Sequence, residues 1–178
     1  MLGVAITGKQ EQMILTSTLI RRCDKMTNNN LLKAFDIIEK NGTGFFKGTM
    51  PEELILKAEK YLNLKFPISF REFLKEKGNG FFRGREFYGL VDDDFESGPI
   101  PDAIWLTMNE RKTSSLDPSL ILICESPEYY FAIDTSIINN GESPVIELIP
   151  CLPKNDCEIL APDFGLFFLN EIKTLVNN

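Results

Sequence analysis

An acidic run holds the residues best suited to chemistry, and its members are Asp92, Asp93, Asp94 and Glu96. Such carboxylates can bind a divalent cation, but the run departs from an EF-hand loop, because Ala103 stands where a closing glutamate is needed. A hydrolase with paired carboxylates would need one acid with a raised pKa in an apolar pocket. Neighbouring acids in a turn should instead stay ionised in solvent. The run therefore predicts a solvated loop or, alternatively, a contact surface for a basic partner.

A glycine-rich segment runs from Gly78 through Gly80 to Gly84 and approaches the dinucleotide-binding fingerprint. Its third glycine comes one residue late, and the segment follows a predicted helix rather than a strand. The fingerprint binds phosphate at the N-terminus of a helix into which a strand leads. We therefore expect a helix end and a turn here, and no cofactor.

The composition removes several kinds of catalysis. The chain has no histidine, which excludes Ser-His and Cys-His nucleophiles and the commonest zinc ligand. The cysteines form no C-x-x-C pair, so we expect reduced thiols, a core position for Cys124 and no bound metal. The four cysteines are Cys23, Cys124, Cys151 and Cys157. We predict no catalytic residue and no enzymatic activity.

The charge of the chain limits its partners. The net charge is −7, which argues against nucleic acid as a ligand, since phosphate binding needs a clustered positive field. A basic protein partner and plain solubility both remain compatible with this charge. Local ion pairs are expected between the arginines and glutamates around the glycine turn, namely Arg71, Arg83 and Arg85 with Glu72, Glu76 and Glu86.

No targeting or membrane segment is recognisable. The first residues lack the basic and apolar regions of a signal peptide, and no apolar run approaches the roughly 20 residues of a membrane span. We expect a cytoplasmic protein without membrane contact.

Three large aromatic residues, Trp105, Tyr129 and Tyr130, could anchor a partner, because Trp and Tyr are enriched at binding hot spots. Core packing is the alternative for the single Trp. Consecutive strand residues point to opposite faces, so one tyrosine should face inward and the other outward. Tyr129 and Tyr130 thus join the acidic run as candidate partner-binding residues.

The segment from Thr49 to Leu90 must position these candidates, and it reads as a helix, a link, a second helix, a glycine turn and a strand. Thr49 and Glu52 have capping-box spacing, and Glu53 and Lys57 are a favourable i,i+4 pair. The apolar residues of the first helix share one face: Leu54, Ala58, Tyr61 and Leu62.

The second helix of this predicted hairpin buries Phe70, Phe73 and Leu74. Its start has two interpretations. Ser69 has capping-box spacing with Glu72, whereas Pro67 could open the helix at its first position. Gly78 should end the helix with a positive φ angle.

The remaining chain predicts an α+β fold with a mostly antiparallel sheet, helices packed on one face, an N-terminal helical hairpin and a C-terminal helix. An amphipathic helix from Leu31 to Lys40 is followed by Phe45 and Phe46 in a loop that plugs the core. Ala103 to Thr107 fits a helix or a strand. The expected strands are 120–124, 129–133, 145–149 and 158–161, and Asp163 begins the last helix.

Residues 1–25 lack such a pattern. We expect them to be an extension, either disordered or upstream of a native start at Met26. A single domain then spans residues 26–178.

Several short motifs resemble the SUKH superfamily of Smi/Knr-type domains. They are Leu64-x-Phe66-Pro67, Phe70-x-x-Phe73-Leu74, Gly78-x-Gly80, Phe87-Tyr88-Gly89-Leu90, Thr107-x-x-x-Arg111, the strand-closing Asp134, the strand Pro144 to Glu147 and the helix start Asp163-Phe164. The family pattern departs at Gly165, which follows Phe164. The resemblance covers roughly Leu31 to Leu175 and depends on the order and spacing of the motifs.

The resemblance implies a non-enzymatic bacterial immunity protein that binds and neutralises a cognate polymorphic toxin, often a nuclease, by covering its active site. A basic toxin domain is the implied partner, and the expected state is a monomer or weak dimer. The alternative is a regulatory protein-interaction module, because fungal members of the superfamily look like scaffolds in cell-wall and signalling control.

Overall fold

A computed structural model describes residues 29–42, 44–97, 102–150 and 153–177 of the chain. The expectations for residues 1–25, and those for Cys23 and Cys151, lie outside the described residues.

The described residues form five helices, seven strands and one short 3-10 turn. The first helix, α1, covers residues 29–41. The other elements are β1 (Gly44–Phe46), α2 (Glu52–Leu62), α3 (Ile68–Lys77), β2 (Gly80–Phe82), β3 (Arg85–Phe87), α4 (Ala103–Thr113), β4 (Leu120–Glu125), β5 (Tyr130–Asp134), β6 (Val145–Leu148), the 3-10 turn (Lys154–Asp156), β7 (Glu158–Ala161) and α5 (Phe164–Asn177).

The strands form two antiparallel sheets, with orders β1-β2-β3 and β4-β5-β6-β7. The α+β class, the helical hairpin of α2 and α3 and the C-terminal helix are confirmed. The single sheet that we expected is replaced by these two. They meet where the Tyr88 N–H donates to the Ile123 carbonyl at 2.8 Å, beside a bulge in β4 at Leu122 and Cys124.

The outer edge of β4 is closed by side-chain and main-chain contacts. Besides the bond from Tyr88, the Leu122 N–H donates to Thr107 Oγ1 of α4 at 2.9 Å. An unpaired strand edge is a template for association with other chains. The helix α4 therefore protects the edge of the larger sheet.

The core is largely aromatic and centres on Phe168 of α5. Its ring lies 4.8 Å from Phe87 of β3, 5.2 Å from Phe73 of α3 and 6.0 Å from Phe35 of α1, measured between ring centroids. The predicted stripe of Phe70, Phe73 and Leu74 is fully buried. The elements α1, α3 and β3 thus pack around one ring of α5, and mutual burial of their apolar faces stabilises them.

Phe45 and Phe46 lie in strand β1, and the loop that we expected is wrong. Phe46 packs against Phe73 and Phe168 of the core, whereas Phe45 is exposed. Strand alternation separates the two rings. The segment from Ala103 to Thr107, which fits either a helix or a strand by sequence, is helical. Its N-cap Asp102 accepts from the N–H groups of Ile104 and Trp105.

Both predicted capping boxes are wrong. The N-cap of α2 is Pro51, without a side-chain cap. The preceding Met50 donates its N–H to the Leu74 carbonyl in α3. Pro67 precedes α3. Ser69 lies in the first turn, where its N–H and hydroxyl donate to Glu142 at 3.0 and 2.7 Å. The carboxylate of Glu142, which is distant in sequence, therefore accepts hydrogen bonds from the first turn of α3.

Two glycines hold the end of α3 against the strand that follows the hairpin. Gly78 has a φ of +70°, as expected for the helix end. Its carbonyl accepts from the Leu90 N–H at 3.1 Å, and a Cβ atom built on Gly89 would lie 1.8 Å from this carbonyl oxygen. Only glycine permits such an approach, which gives a physical reason for the glycine in Phe87-Tyr88-Gly89-Leu90.

Gly89→Ala is expected to destabilise the fold by about 3 kcal/mol, because a methyl group must push two backbone segments apart. Gly84→Ala is the matched control. Gly84 has a φ of +83° and open space around its Cβ position, so only the backbone penalty of about 1 kcal/mol applies. Urea unfolding of both variants measures the difference. Equal losses would show that steric contact at Gly89 is unimportant.

A buried carboxylate joins α2 to the link and to α3. Glu59 is 3% exposed, although sequence periodicity gives no reason to bury it. Its oxygens accept from Lys65 Nζ at 2.9 Å, the Phe66 N–H at 3.0 Å and Arg71 Nη1 at 2.6 Å. Burial alone would raise the pKa of Glu59, but the bonds from Lys65, Phe66 and Arg71 outweigh it, so the pKa lies below its ordinary value of 4.5.

The lowered pKa of Glu59 predicts a pH-dependent contribution to stability. Its carboxylate should stabilise the fold above pH 4.5, and this contribution should be lost as the pH falls through the lowered folded-state pKa. At pH 7, Glu59→Gln should therefore cost roughly 2–3 kcal/mol, and the difference from the parent chain should shrink on acidification. Glu53→Gln, on the exposed side of α2, is the control. A difference independent of pH would contradict this account.

Candidate partner-binding surface

The four predicted acids lie on one exposed loop between β3 and α4, which we call the acidic loop (residues 91–97). Asp92, Asp93, Asp94 and Glu96 are all exposed. Between them, Phe95 is only 4% exposed, and its ring packs 5.2 Å from that of Tyr61 in α2. The loop is therefore solvated, as expected, but a buried ring fixes it to the helical hairpin.

Main-chain contacts fix the start of the acidic loop. The Val91 N–H donates to Asp102 Oδ2 at 3.1 Å, and the Val91 carbonyl accepts from Lys47 Nζ. Asp102 is fully buried and also caps α4. The loop is thus tied to the N-terminus of α4 and to the chain that follows β1.

The carboxylates of the acidic loop shape its turn. Asp92 Oδ1 accepts from the Asp94 N–H at 2.9 Å, and Asp94 Oδ1 accepts from the N–H groups of Glu96 and Ser97 at 3.2 Å. Asp93 Oδ2 lies 2.7 Å from Lys57 Nζ. Such local bonds replace missing backbone partners in a turn. Lys57, which the sequence pairs with Glu53, therefore supports the loop instead.

Local contacts favour the ionised forms of Asp93 and Asp94. The hydrogen bond and charge of Lys57 lower the pKa of Asp93. Bonds from the Ser97 hydroxyl and from the Ser97 and Glu96 N–H groups lower the pKa of Asp94. Neither carboxyl has the raised pKa that a general acid needs. The arrangement suits electrostatic attraction rather than proton transfer.

No metal centre is formed by the part of the chain that the structure describes. Within it, no three cysteine, aspartate or glutamate side chains lie close enough together to hold a metal ion. In the acidic loop, Asp93 is paired with Lys57, and Asp94 accepts from Ser97. These carboxylates are directed toward Lys57 and Ser97 of the same chain rather than toward a common point where a cation could bind.

Tyr129 and Tyr130 lie on opposite faces of the larger sheet, and both are half-buried. Tyr129 packs 5.1 Å from Phe131, which in turn packs 5.0 Å from Phe167 of α5. Tyr130 instead lines a groove of about 620 Å³ with Glu110, Leu148 and Pro153 among its neighbours. The two rings have different neighbours, but the expectation of one inward and one outward tyrosine is wrong, because both are half-buried.

Tyr130 and the acidic loop lie in separate patches. The loop is tied to Asp102 at the start of α4, whereas Tyr130 shares its groove with Glu110. Eight residues of helix separate these two positions, a rise of roughly 12 Å. Burial raises the pKa of Tyr130, and the charges of Glu110 and Glu125 raise it further. The sequence alone does not show that Tyr130 and the acidic loop lie apart.

The arginines around the glycine turn, Trp105 and the described cysteines contact other parts of the fold. The expected glutamate partners of the arginines are wrong, because Arg71 pairs with Glu52 and Glu59, and Arg85 pairs with Glu171. Arg83 donates to main-chain carbonyls at the end of α5. Trp105 is partly buried against the core. Cys124 is a buried free thiol, as expected, and Cys157 is a partly exposed one.

Sequence reasoning missed the residues that support the acidic loop. Lys57, Tyr61 and Asp102 contact it from elsewhere in the chain. One signal was present, because Phe95 is a single apolar residue between Asp94 and Glu96. An isolated aromatic in an acidic run indicates a loop that is anchored on a core.

The segment Thr107-x-x-x-Arg111 has a structural role. Thr107 closes the edge of β4, and Arg111 donates to the carbonyls of Leu62 and Pro118 at 2.9 and 2.6 Å. Arg111 thereby joins the end of α2 to the loop before β4. These contacts position α4, which in turn holds the acidic loop through Asp102.

A family model described as SMI1-KNR4 cell-wall, of the SUKH group, matches residues 52–168, about two thirds of the chain. The chain belongs to the SUKH family. No curated protein matches it. The matched range of the SUKH domain begins with α2 and ends within α5, so it includes the acidic loop and both tyrosines. Among the described helices of this SUKH domain, none is both long enough and apolar enough to cross a membrane.

Phe95→Ala is expected to release the acidic loop of the SUKH domain, because the ring is its buried anchor. Stability should fall by about 2–4 kcal/mol, and amide hydrogen exchange should accelerate in residues 91–97 more than in the core. Glu96→Ala is the neighbouring control and should leave both quantities nearly unchanged. Unaltered exchange in Phe95→Ala would show that other contacts fix the loop.

Proposed function

We propose that this SUKH protein is an immunity protein that binds a cognate polymorphic toxin, such as a nuclease, and blocks it without catalysis. Membership of the SUKH family is the observation that carries the proposal. In this proposal the protein acts in the cytoplasm as a monomer or weak dimer, and it needs no cofactor.

The chemistry of the described residues supports a binding role. The chain contains no histidine, and hydrogen bonds lower the pKa of both Asp93 and Asp94 in the acidic loop. An inhibitor needs only a stable surface that complements its target. The anchored loop offers such a surface without any reactive group.

The electrostatics of the loop support a basic target. A nuclease must present lysine and arginine where it binds phosphate groups. Asp92, Asp94 and Glu96 are exposed at a hydrogen-bonded turn, where they can face such a surface. An inhibitor that imitates the charge of the nucleic acid would bind the toxin at its active site.

A regulatory protein-interaction module is the second candidate. The words "cell-wall" in the description of the matching family favour it. The two candidates differ in what is encoded beside the gene. A neighbouring gene for a large secreted protein with a toxin domain at its C-terminus favours immunity.

The acidic loop should control the rate of toxin binding. Changing Asp92, Asp93 and Asp94 together to Asn keeps side-chain acceptors for the turn, and loss of an exposed ion pair costs at most about 1 kcal/mol. The association rate with the toxin domain encoded beside the gene should fall roughly tenfold at low salt, and its salt dependence should flatten. Stopped-flow kinetics at two salt concentrations measure both effects.

The matched control removes the same charge elsewhere. Glu39, Glu128 and Glu158 are exposed and lie outside the acidic loop, so their combined change to Gln should affect association much less. Equal effects of the two triple variants would show that net charge alone steers binding. If the parent chain neither binds this toxin domain nor protects cells that express it, the immunity proposal is wrong.

A further inference from the structure

A pair of exposed aromatic rings crosses the outer face of the three-stranded sheet. Phe45 of β1 is paired with Phe81 of β2, which is paired with Glu86 of β3. The side chain of Phe45 is 63% exposed and that of Phe81 is 45% exposed. The two ring centroids lie 6.3 Å apart. We call the row formed by these three residues the Phe45–Phe81 face.

The fold does not require aromatic residues at these two positions. The inward positions of the same strands carry Phe46, Phe82 and Phe87, which contact or belong to the core. Phe45 and Phe81 alternate with them and meet mainly each other and solvent. Contiguous exposed apolar surface often marks an interaction site, and aromatic rings are frequent anchors there.

The Phe45–Phe81 face carries one acid, Glu86, and lies near the acidic loop. Glu86 ends the row and is exposed. Lys47 lies two residues beyond Phe45, on the same side by strand alternation, and its Nζ donates to Val91 at the start of the acidic loop. Arg83 is directed away, toward the carbonyls of Leu175 and Val176. The face therefore ends at Glu86 on β3, and Lys47 connects the chain beyond Phe45 to the start of the acidic loop.

We propose that the Phe45–Phe81 face, together with the adjoining acidic loop, docks a basic protein partner that places an apolar side chain on the two rings and lysine or arginine beside it. The rings provide an apolar contact at the centre, and the acids provide charge complementarity at the rim, the usual arrangement of an interface. The identification of this partner as the toxin rests on the proposed function; the surface itself rests on exposure and charge.

Charge argues against the other occupants of this face. A symmetric dimer would place the same patch against itself, so the negative charges of both copies would lie in one interface. Anionic lipid head groups would meet the same negative charges. A basic partner relieves the repulsion that both alternatives create.

The first test needs no toxin. The probe is a short blocked peptide in which lysines alternate with leucine and phenylalanine, and the control peptide carries serine in place of both apolar residues. NMR titration of the 15N-labelled chain should give saturable shifts centred on Phe45, Phe81 and Glu86, and none with the control peptide. Shifts centred elsewhere, shifts equal for both peptides, or no saturable shifts would overturn the proposal.

Substitutions then locate the binding energy. The double change Phe45→Ser with Phe81→Ser should lower the affinity for the peptide and for the toxin domain encoded beside the gene by roughly tenfold or more. The thermal midpoint should change little, because both rings are exposed. Glu86→Lys keeps the rings and reverses the charge, so it should also weaken binding. The control is Ile138→Ser with Ile159→Ser, two exposed residues outside the face, which should change affinity less than about twofold.

The outcomes separate this proposal from the proposed function. A toxin domain that binds the parent chain and the Phe45 and Phe81 double variant equally overturns the face and leaves the immunity function intact. A toxin domain that does not bind the parent chain overturns the immunity function, and the peptide titration then decides the face alone. Dimerisation of the parent chain that the double variant abolishes would show that a second copy is the occupant and would overturn the proposal.

Discussion

The ring of Phe168 is the contact on which most of the structure depends. It lies within 6.0 Å of rings from α1, α3 and β3, so it fixes the three-stranded sheet against the helices. Once Phe46 and Phe87 are directed toward this ring, strand alternation directs Phe45 and Glu86 toward solvent. The packing constraint of the core thus also determines which side chains the outer face of the sheet presents.

A second constraint, the close contact of Gly78 with Gly89, connects this core to the acidic loop. The contact fixes the chain between the end of α3 and Leu90, and the loop begins at the next residue. Asp102, Lys57 and Phe95 then hold the loop against α4 and α2. Rigid elements therefore present the negative charges, and flexible side chains need not be ordered when a partner binds.

The sequence is sufficient for the parts of the fold that follow from local periodicity. The faces of α3 and α5 and the four strands of the larger sheet follow from local patterns of apolar residues, and the exposure of Asp92 to Asp94 follows from their charge. Contacts between distant segments do not. The burial of Glu59, the bond from Ser69 to Glu142 and the pair of Lys57 with Asp93 each join residues that only the tertiary fold brings together. For the same reason, the division into two sheets and the separation of Tyr130 from the acidic loop could not be predicted.

The contacts that anchor the acidic loop fix its conformation but not the types of its exposed residues. Its fixed points are the main chain of Val91, the ring of Phe95 and the pair of Asp93 with Lys57. The exposed side chain of Glu96 takes no part in these anchors or in the bonds that shape the turn, and exposed positions of this kind tolerate most substitutions. Related chains could therefore acquire different residues at these positions, and with them different binding specificities, while they retain the same folded scaffold and nearly the same stability.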